Sequence, residues 1–175
     1  MGRQPFEAIV EAHHGEIYRY LRRLTAHASE ADDLSQETFL RAYRAYRSLA
    51  PEANVRAWLF TIATNLARNH FRSEQRRRRA HAAVRLAGTE ADGAAPDGEA
   101  LLHEAQARLD GLVAALPLKQ RAAFVLRKVH DLEYEAIARS LGCSAESARA
   151  HVFQALKKIR RGLEAQAPPR REPQP

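Results

Sequence analysis

One stretch of the chain carries arginine at positions 68, 72, 76 and 79, with Thr61 and Asn65 on the same helical face. Steps of four, four and three residues return to one side of an α-helix, so the guanidinium groups line up. Such a line suits a nucleic-acid backbone: each duplex phosphate neutralised contributes roughly 0.9 to the salt slope of binding. A solvated helix face has the same composition. Asn65 and Asn69 border the line, where an amide can read the edge of an exposed base or serve polar packing and capping. Trp58 sits on the apolar side of this stretch. Core packing is the heavier of its two readings; the other is stacking on a base, typically worth about 1–3 kcal/mol.

A second set of candidates lies near the carboxyl end. Residues 134–141 read as a short helix, Gly142 as a left-handed helix end, and Ser144 as the cap of the next helix. Ala148, Val152, Ala155 and Ile159 form that last helix's buried face. Its other face shows Glu146, Ser147, Ala150, Gln154, Lys157 and Arg161, flanked by Arg149 and Phe153. Helix, glycine turn, helix is the arrangement that lays its second helix in the major groove. Arginine can grip guanine, glutamine can grip adenine, and Ala150 can meet a thymine methyl. Lys157, Lys158, Arg160 and Arg161 suit phosphates. A structural helical hairpin with a basic end is the plainer alternative.

A third set is acidic. Asp33, Gln36 and Glu37 lie near apolar Leu34 and Leu40. This is either a protein-docking surface or acidic residues favoured by a helix dipole, and the residues alone leave both open. Asp32 and Asp33 are adjacent and point to different sides of a helix, so they make no carboxylate pair. Cys143 is the only cysteine, which excludes an internal disulfide and a cysteine-based zinc site. No catalytic constellation, cofactor motif or metal site is legible.

These residues need helices to position them. Alanine, leucine, arginine and glutamate dominate the 175 residues, and β-branched runs are scarce. The expected fold is all-α. A first helix over residues 5–24 places Ile9, Ile17, Tyr20, Leu21 and Leu24 inward. A second, over 29–47 with Ser29 as its cap, turns Leu34, Phe39, Ala42, Tyr43 and Tyr46 inward. Pro51 and Asn54 break the pattern and cap a third helix over 55–79, with Val55, Trp58, Leu59, Ile62 and Leu66 on its apolar side. Pro117 opens a helix that carries Ala123, Phe124, Leu126 and Val129. Between Arg85 and Arg108 there is no Lys or Arg, while Gly, Ala, Pro and acidic residues rise. That texture reads as a flexible linker. The expected division is a helical domain over 1–80, a flexible acidic linker over 81–103, a helix-turn-helix domain over 104–164 and a disordered Pro/Arg-rich tail over 165–175.

The net charge of +7 points to a polyanionic partner, nucleic acid before an acidic membrane. No apolar run has membrane-spanning length and the start lacks a secretory pattern, so the expected compartment is the cytoplasm, without membrane insertion.

Taken together, the segments resemble the extracytoplasmic-function (ECF) sigma factors of the sigma-70 family. Residues 32–43 (Asp-Asp-Leu-Ser-Gln-Glu-Thr-Phe-Leu-Arg-Ala-Tyr) resemble its region 2.2, and residues 55–69 resemble regions 2.3 and 2.4. Residues 115–121 (Ala-Leu-Pro-Leu-Lys-Gln-Arg) and 134–138 resemble region 4. The resemblance implies that Asp33, Leu34, Gln36 and Glu37 contact core RNA polymerase. It implies that the loop from Ser48 to Asn54 holds a flipped base of the −10 element, with Trp58, Asn65, Arg68, Asn69, Arg72 and Arg76 serving the same single strand. Arg149, Ala150, Phe153, Gln154 and Lys157 would meet the −35 duplex, and an anti-sigma protein is an implied partner. The family often has Gly where Asp131 stands and a capping Ser where Glu133 stands, so the entry to the short helix is expected to be less well capped. Gly-Thr-Val is common where Glu146-Ser147-Ala148 stands, and basic residues are common at His151, Gln154 and Leu156. Two rivals remain: a stand-alone helix-turn-helix regulator, which would bind duplex DNA tightly without polymerase, and a nucleic-acid enzyme, which lacks its constellation here.

Overall fold

A computed structural model describes residues 4–25, 27–82 and 100–166. All regular structure among them is helical: α1 (Phe6–Thr25), α2 (Ala28–Tyr46), α3 (Val55–Ala82), α4 (Ala100–Ala114), α5 (Leu118–Lys128), α6 (Tyr134–Leu141) and α7 (Ala145–Gln166). Helices α3 and α4 thus reach into the span expected as linker. The rest of that span, residues 83–99, and the tail beyond residue 166 lie outside the described residues.

Helices α1, α2 and α3 pack on one another. The stripe expected for α1 is buried in full: Ile9, Ile17, Tyr20, Leu21 and Leu24. Phe60 packs its ring edgewise on Tyr20 at 5.3 Å, and the Tyr20 hydroxyl shares a 2.8 Å hydrogen bond with Thr64. That bond satisfies the one polar atom of a fully buried ring. Burial raises the Tyr20 pKa, so the phenol stays neutral.

Two expectations for α2 are corrected. The helix starts at Ala28 rather than after a Ser29 cap, with His27 as N-cap and no side-chain bond to it. Thr25 Oγ1 donates to Leu21 O and lies 3.1 Å from His27 O, so the chain turns within two residues and Ser29 already lies in the first turn. Tyr43 is 60 % exposed instead of inward. The inward positions are Ala31, Ser35, Thr38, Phe39 and Ala42, whose small members let α2 approach its neighbours closely. The cap on α3 holds as expected: Asn54 Oδ1 accepts the Ala57 N–H at 2.9 Å.

Helix α7 packs on α4, α5 and α6, and α5 packs on α6. Ala148, Val152, Ala155 and Ile159 are buried as the pattern requires. Val129 is the C-cap of α5 and is 44 % exposed, because α5 ends at Lys128 and the chain turns away there. The two groups of helices touch, chiefly α3 against α6, with α1 against α5 and α4.

Candidate nucleic-acid and polymerase interfaces

The turn before α7 is built by the residues expected to build it. Gly142 has φ 62° and ψ 49°, and its N–H reaches Ala138 O and Arg139 O. Without a β-carbon, Gly142 takes this left-handed geometry without the clash a side chain would meet. Ser144 Oγ then accepts the Ser147 N–H at 3.1 Å and caps α7. The outward face of that helix is open: Arg149, Ala150, Phe153, Gln154 and Lys157 are all exposed, Phe153 by 67 %. Two of these side chains are held by neighbours. Gln120 Nε2 donates to Gln154 Oε1 at 2.7 Å, and the Arg149 guanidinium lies 5.0 Å over the Tyr134 ring. On the inner flank, burial and nearby Lys119 lower the His151 pKa.

The entry to α6 follows the family departures. Glu133 is the N-cap and makes no side-chain cap bond. Asp131 stands at φ 51°, the only positive φ among described residues other than glycine. An L side chain there crowds its own carbonyl, which is why glycine suits the position. Arg127 steadies this turn by donating to Leu132 O at 3.0 Å, while its guanidinium lies 5.0 Å over the Tyr134 ring.

On α3, Asn65, Asn69, Arg72 and Arg76 are exposed along one side, and Trp58 is half-buried against the core. Ser48 and Asn54 are exposed in the connection from α2, where Ser48 Oγ donates to Ala45 O at 2.8 Å. Arg68 is not free: its Nη1 donates to Leu141 O, the last carbonyl of α6, at 3.1 Å.

On α2, Asp33 and Gln36 are exposed, and Leu34 and Glu37 are half-buried. Gln36 donates to Asp32 at 3.1 Å and Arg41 to Glu37 at 2.6 Å, so the acidic strip carries its own amide and cation partners. It borders a groove of about 420 Å³ between α1 and α2, lined by Phe6, Val10, His14, Phe39, Leu40 and Tyr43. Sequence reasoning placed Tyr43 in the core and so missed this groove.

A further group was missed altogether. His130, just past α5, is 6 % exposed, with its ring 4.7 Å from Phe60 and 5.8 Å from Tyr20. Burial pushes its pKa down to about 4; Glu16, 3.9 Å away, opposes this, and Arg56, Arg23 and Arg19 add to it. Arg56 joins Glu16 at 2.9 Å and donates to His130 O at 2.8 Å. Arg121 is half-buried; it donates to Leu24 O at 2.5 Å and to Ala114 O and Leu116 O. Burial lowers its pKa. Only side chains from far apart in sequence meet here, so no local signal announced them.

Fold and faces define a helical protein with a DNA-reading helix-turn-helix beside a second helical bundle that carries a basic face. Family models for Sigma-70 region 2 and for Sigma-70, region 4 match residues 9–77 and 106–159. The chain is 30% identical over 169 residues to the RNA polymerase sigma-H factor of Pseudomonas aeruginosa, covering 93% of this chain and 88% of that one. It is 35% identical over 136 residues to the ECF RNA polymerase sigma factor EcfG of Rhodopseudomonas palustris, covering 78% of this chain and 72% of that one. Among solved structures it is similar to the sigma factor RpoE of Bartonella quintana in complex with the anti-sigma factor NepR. That match has a TM-score of 0.73 at 22% identity and covers 93% of this chain and 98% of that one. The chain belongs to the sigma-70 family, as an ECF RNA polymerase sigma factor. Its work is promoter recognition and transcription initiation with RNA polymerase, a regulatory role and not an enzymatic one. No helix among the described residues is long and apolar enough to cross a membrane.

Proposed function

We propose that promoter reading is divided between residues 1–80 and residues 104–164, joined by the segment 81–103 and followed by a tail over 165–175. Asp33, Leu34, Gln36 and Glu37 dock on core polymerase. Ser48, Asn54, Trp58, Asn65, Arg68, Asn69, Arg72 and Arg76 take the unpaired −10 strand. Arg149, Ala150, Phe153, Gln154 and Lys157 read the −35 duplex. The reading places the protein in the cytoplasm and gives it an anti-sigma partner, as the sigma factor of Bartonella quintana has in its solved complex.

The supporting observation is the two-sidedness of α7. All five proposed reading residues are exposed, while Ala148, Val152, Ala155 and Ile159 are buried on the other side. Polymerase supplies the spacing, so two weak contacts gain from effective concentration. Unstacking a −10 base costs a few kcal/mol, and capture with phosphate neutralisation by the arginines offsets it.

Transcription in vitro with core polymerase and a promoter library tests this. Active promoters should be enriched at both elements. Enrichment at one element alone, or tight duplex binding without polymerase, would contradict it. Glu37→Lys should lose holoenzyme formation while keeping its helical spectrum; normal assembly would remove α2 from the docking role.

A further inference from the structure

One exposed side chain on the outward face of α7 is held by a residue of another helix. Gln154 is exposed, and Gln120 is half-buried in the first turn of α5, which packs on α7. Gln120 Nε2 donates to Gln154 Oε1 at 2.7 Å. A free glutamine can turn its amide over and offer a base either its oxygen or its N–H groups. Here the burial of Gln120 decides the direction. Gln120 Oε1 is buried and has no hydrogen-bond partner. Turning both amides over would put the Gln120 NH2 in that buried place, with its donors unmet. Folded proteins tolerate an under-satisfied carbonyl oxygen better than an orphaned N–H, so the observed direction is the favoured one.

From this geometry we propose that Gln120 is a positioning residue for promoter specificity: it holds the Gln154 oxygen toward α5 and leaves the Gln154 NH2 to meet the −35 duplex, so that Gln154 selects guanine. The inference rests on the −35 role proposed above for Gln154. The Gln154 NH2 has no partner among the described residues, so both of its N–H groups are available. Guanine shows two neighbouring acceptors in the major groove, N7 and O6. Adenine shows one, N7, beside an N6 donor that needs an oxygen opposite it, and cytosine shows only a donor. The Gln154 oxygen already accepts from Gln120, and that bond polarises the amide and strengthens its N–H groups as donors. Unpaired, Gln154 is the two-point reader of adenine that glutamine ordinarily is. Paired, it is first of all a donor. The sequence of α7 alone does not encode this, because the two amides stand 34 residues apart.

The test is transcription in vitro by the full chain with core polymerase, on a promoter library randomised across the −35 element. Gln154→Ala first identifies the base pair concerned, as the position whose preference it loses. Wild type should favour guanine over adenine there by about fivefold or more, the worth of about one hydrogen bond; preference for any other base overturns the proposal. Gln120→Glu is the sharper arm. A carboxylate only accepts, so Gln154 must turn its NH2 toward α5 and its oxygen toward the duplex. The preference should then move to adenine or cytosine, whose N6 and N4 groups donate, while the added negative charge weakens all promoters alike. A guanine preference that survives in Gln120→Glu overturns the positioning role. Gln120→Leu keeps the bulk and removes the bond, and adenine should rise there to at least the level of guanine; an unchanged ratio of bases counts against the proposal. Should Gln120→Glu lose its helical spectrum, the ratio in Gln120→Leu decides alone. Failure of the −35 role looks different: a Gln154→Ala library identical to wild type at every −35 position, which removes Gln154 from DNA reading and this proposal with it.

Discussion

The two proposed reading faces differ in how they are kept. The face on α7 is open, with every proposed contact residue exposed and the backbone behind it fixed by Gly142 and the Ser144 cap. The face on α3 is open only in part, since Thr61 and Arg68 are engaged by α6. A helix that reads paired DNA needs no change before contact, because the base edges are already in the groove. On α3 the partial cover engages Arg68 and leaves Arg72 and Arg76 exposed.

The largest expected effect sharpens the open side. Arg149→Ala removes a guanidinium poised over Tyr134, and a good bidentate base contact is worth about 1–3 kcal/mol. Transcription should fall roughly tenfold or more on promoters that depend on the −35 element; equal loss on a promoter without it would break the contrast between the two faces.

Acid should weaken the packing around His130. His130 has its pKa pushed down to about 4 from 6.5. Above pH 6.5 the ring is neutral whether buried or released, and the contact keeps its full strength. Below that, a released ring takes a proton that the buried ring refuses, so stability is lost as pH falls toward 4. Between pH 7 and 5 the loss should be about 2 kcal/mol. Glu16 on α1 moderates it, while Arg19 and Arg23 on α1 and Arg56 on α3 strengthen it. Melting temperatures across that range, for wild type and His130→Phe, check this: the variant should show a flatter profile.

Ser144→Ala should cost about 1 kcal/mol by uncapping α7, read as a lower denaturant midpoint. The smallest effect lies in the turn that carries His130. Asp131→Gly relieves a left-handed φ and should stabilise by up to about 1 kcal/mol, visible as a small rise in melting temperature. A fall would mean that the Asp131 contact with Arg127, at 3.6 Å, outweighs the strain.

Much of this fold was legible. The stripes of α1 and α7 are buried as their periodicity requires, and Asn54, Gly142 and Ser144 end or start helices as their chemistry dictates. The misreadings share a cause. Tyr43 fits the apolar pattern of α2, yet α1 meets it only with the Phe6 ring, 5.3 Å away, and leaves it 60 % exposed. Ser29 is a good cap by type, but the turn made by Thr25 and His27 starts α2 before it. Periodicity reports which face of a helix is apolar, not how far a partner extends over it.

The amino-acid order by itself determined that this chain is helical, that it carries a helix-turn-helix with an arginine- and glutamine-bearing face, and that a second basic face stands beside asparagines. Those are properties of residues three or four apart, fixed by helical geometry. Only the tertiary structure decided that Arg56, Arg68 and Arg121 each donate to a carbonyl 73 to 97 residues away, and that His130 is buried against Phe60 and Tyr20. Contacts between residues so far apart depend on how whole helices pack, and no local spacing encodes that.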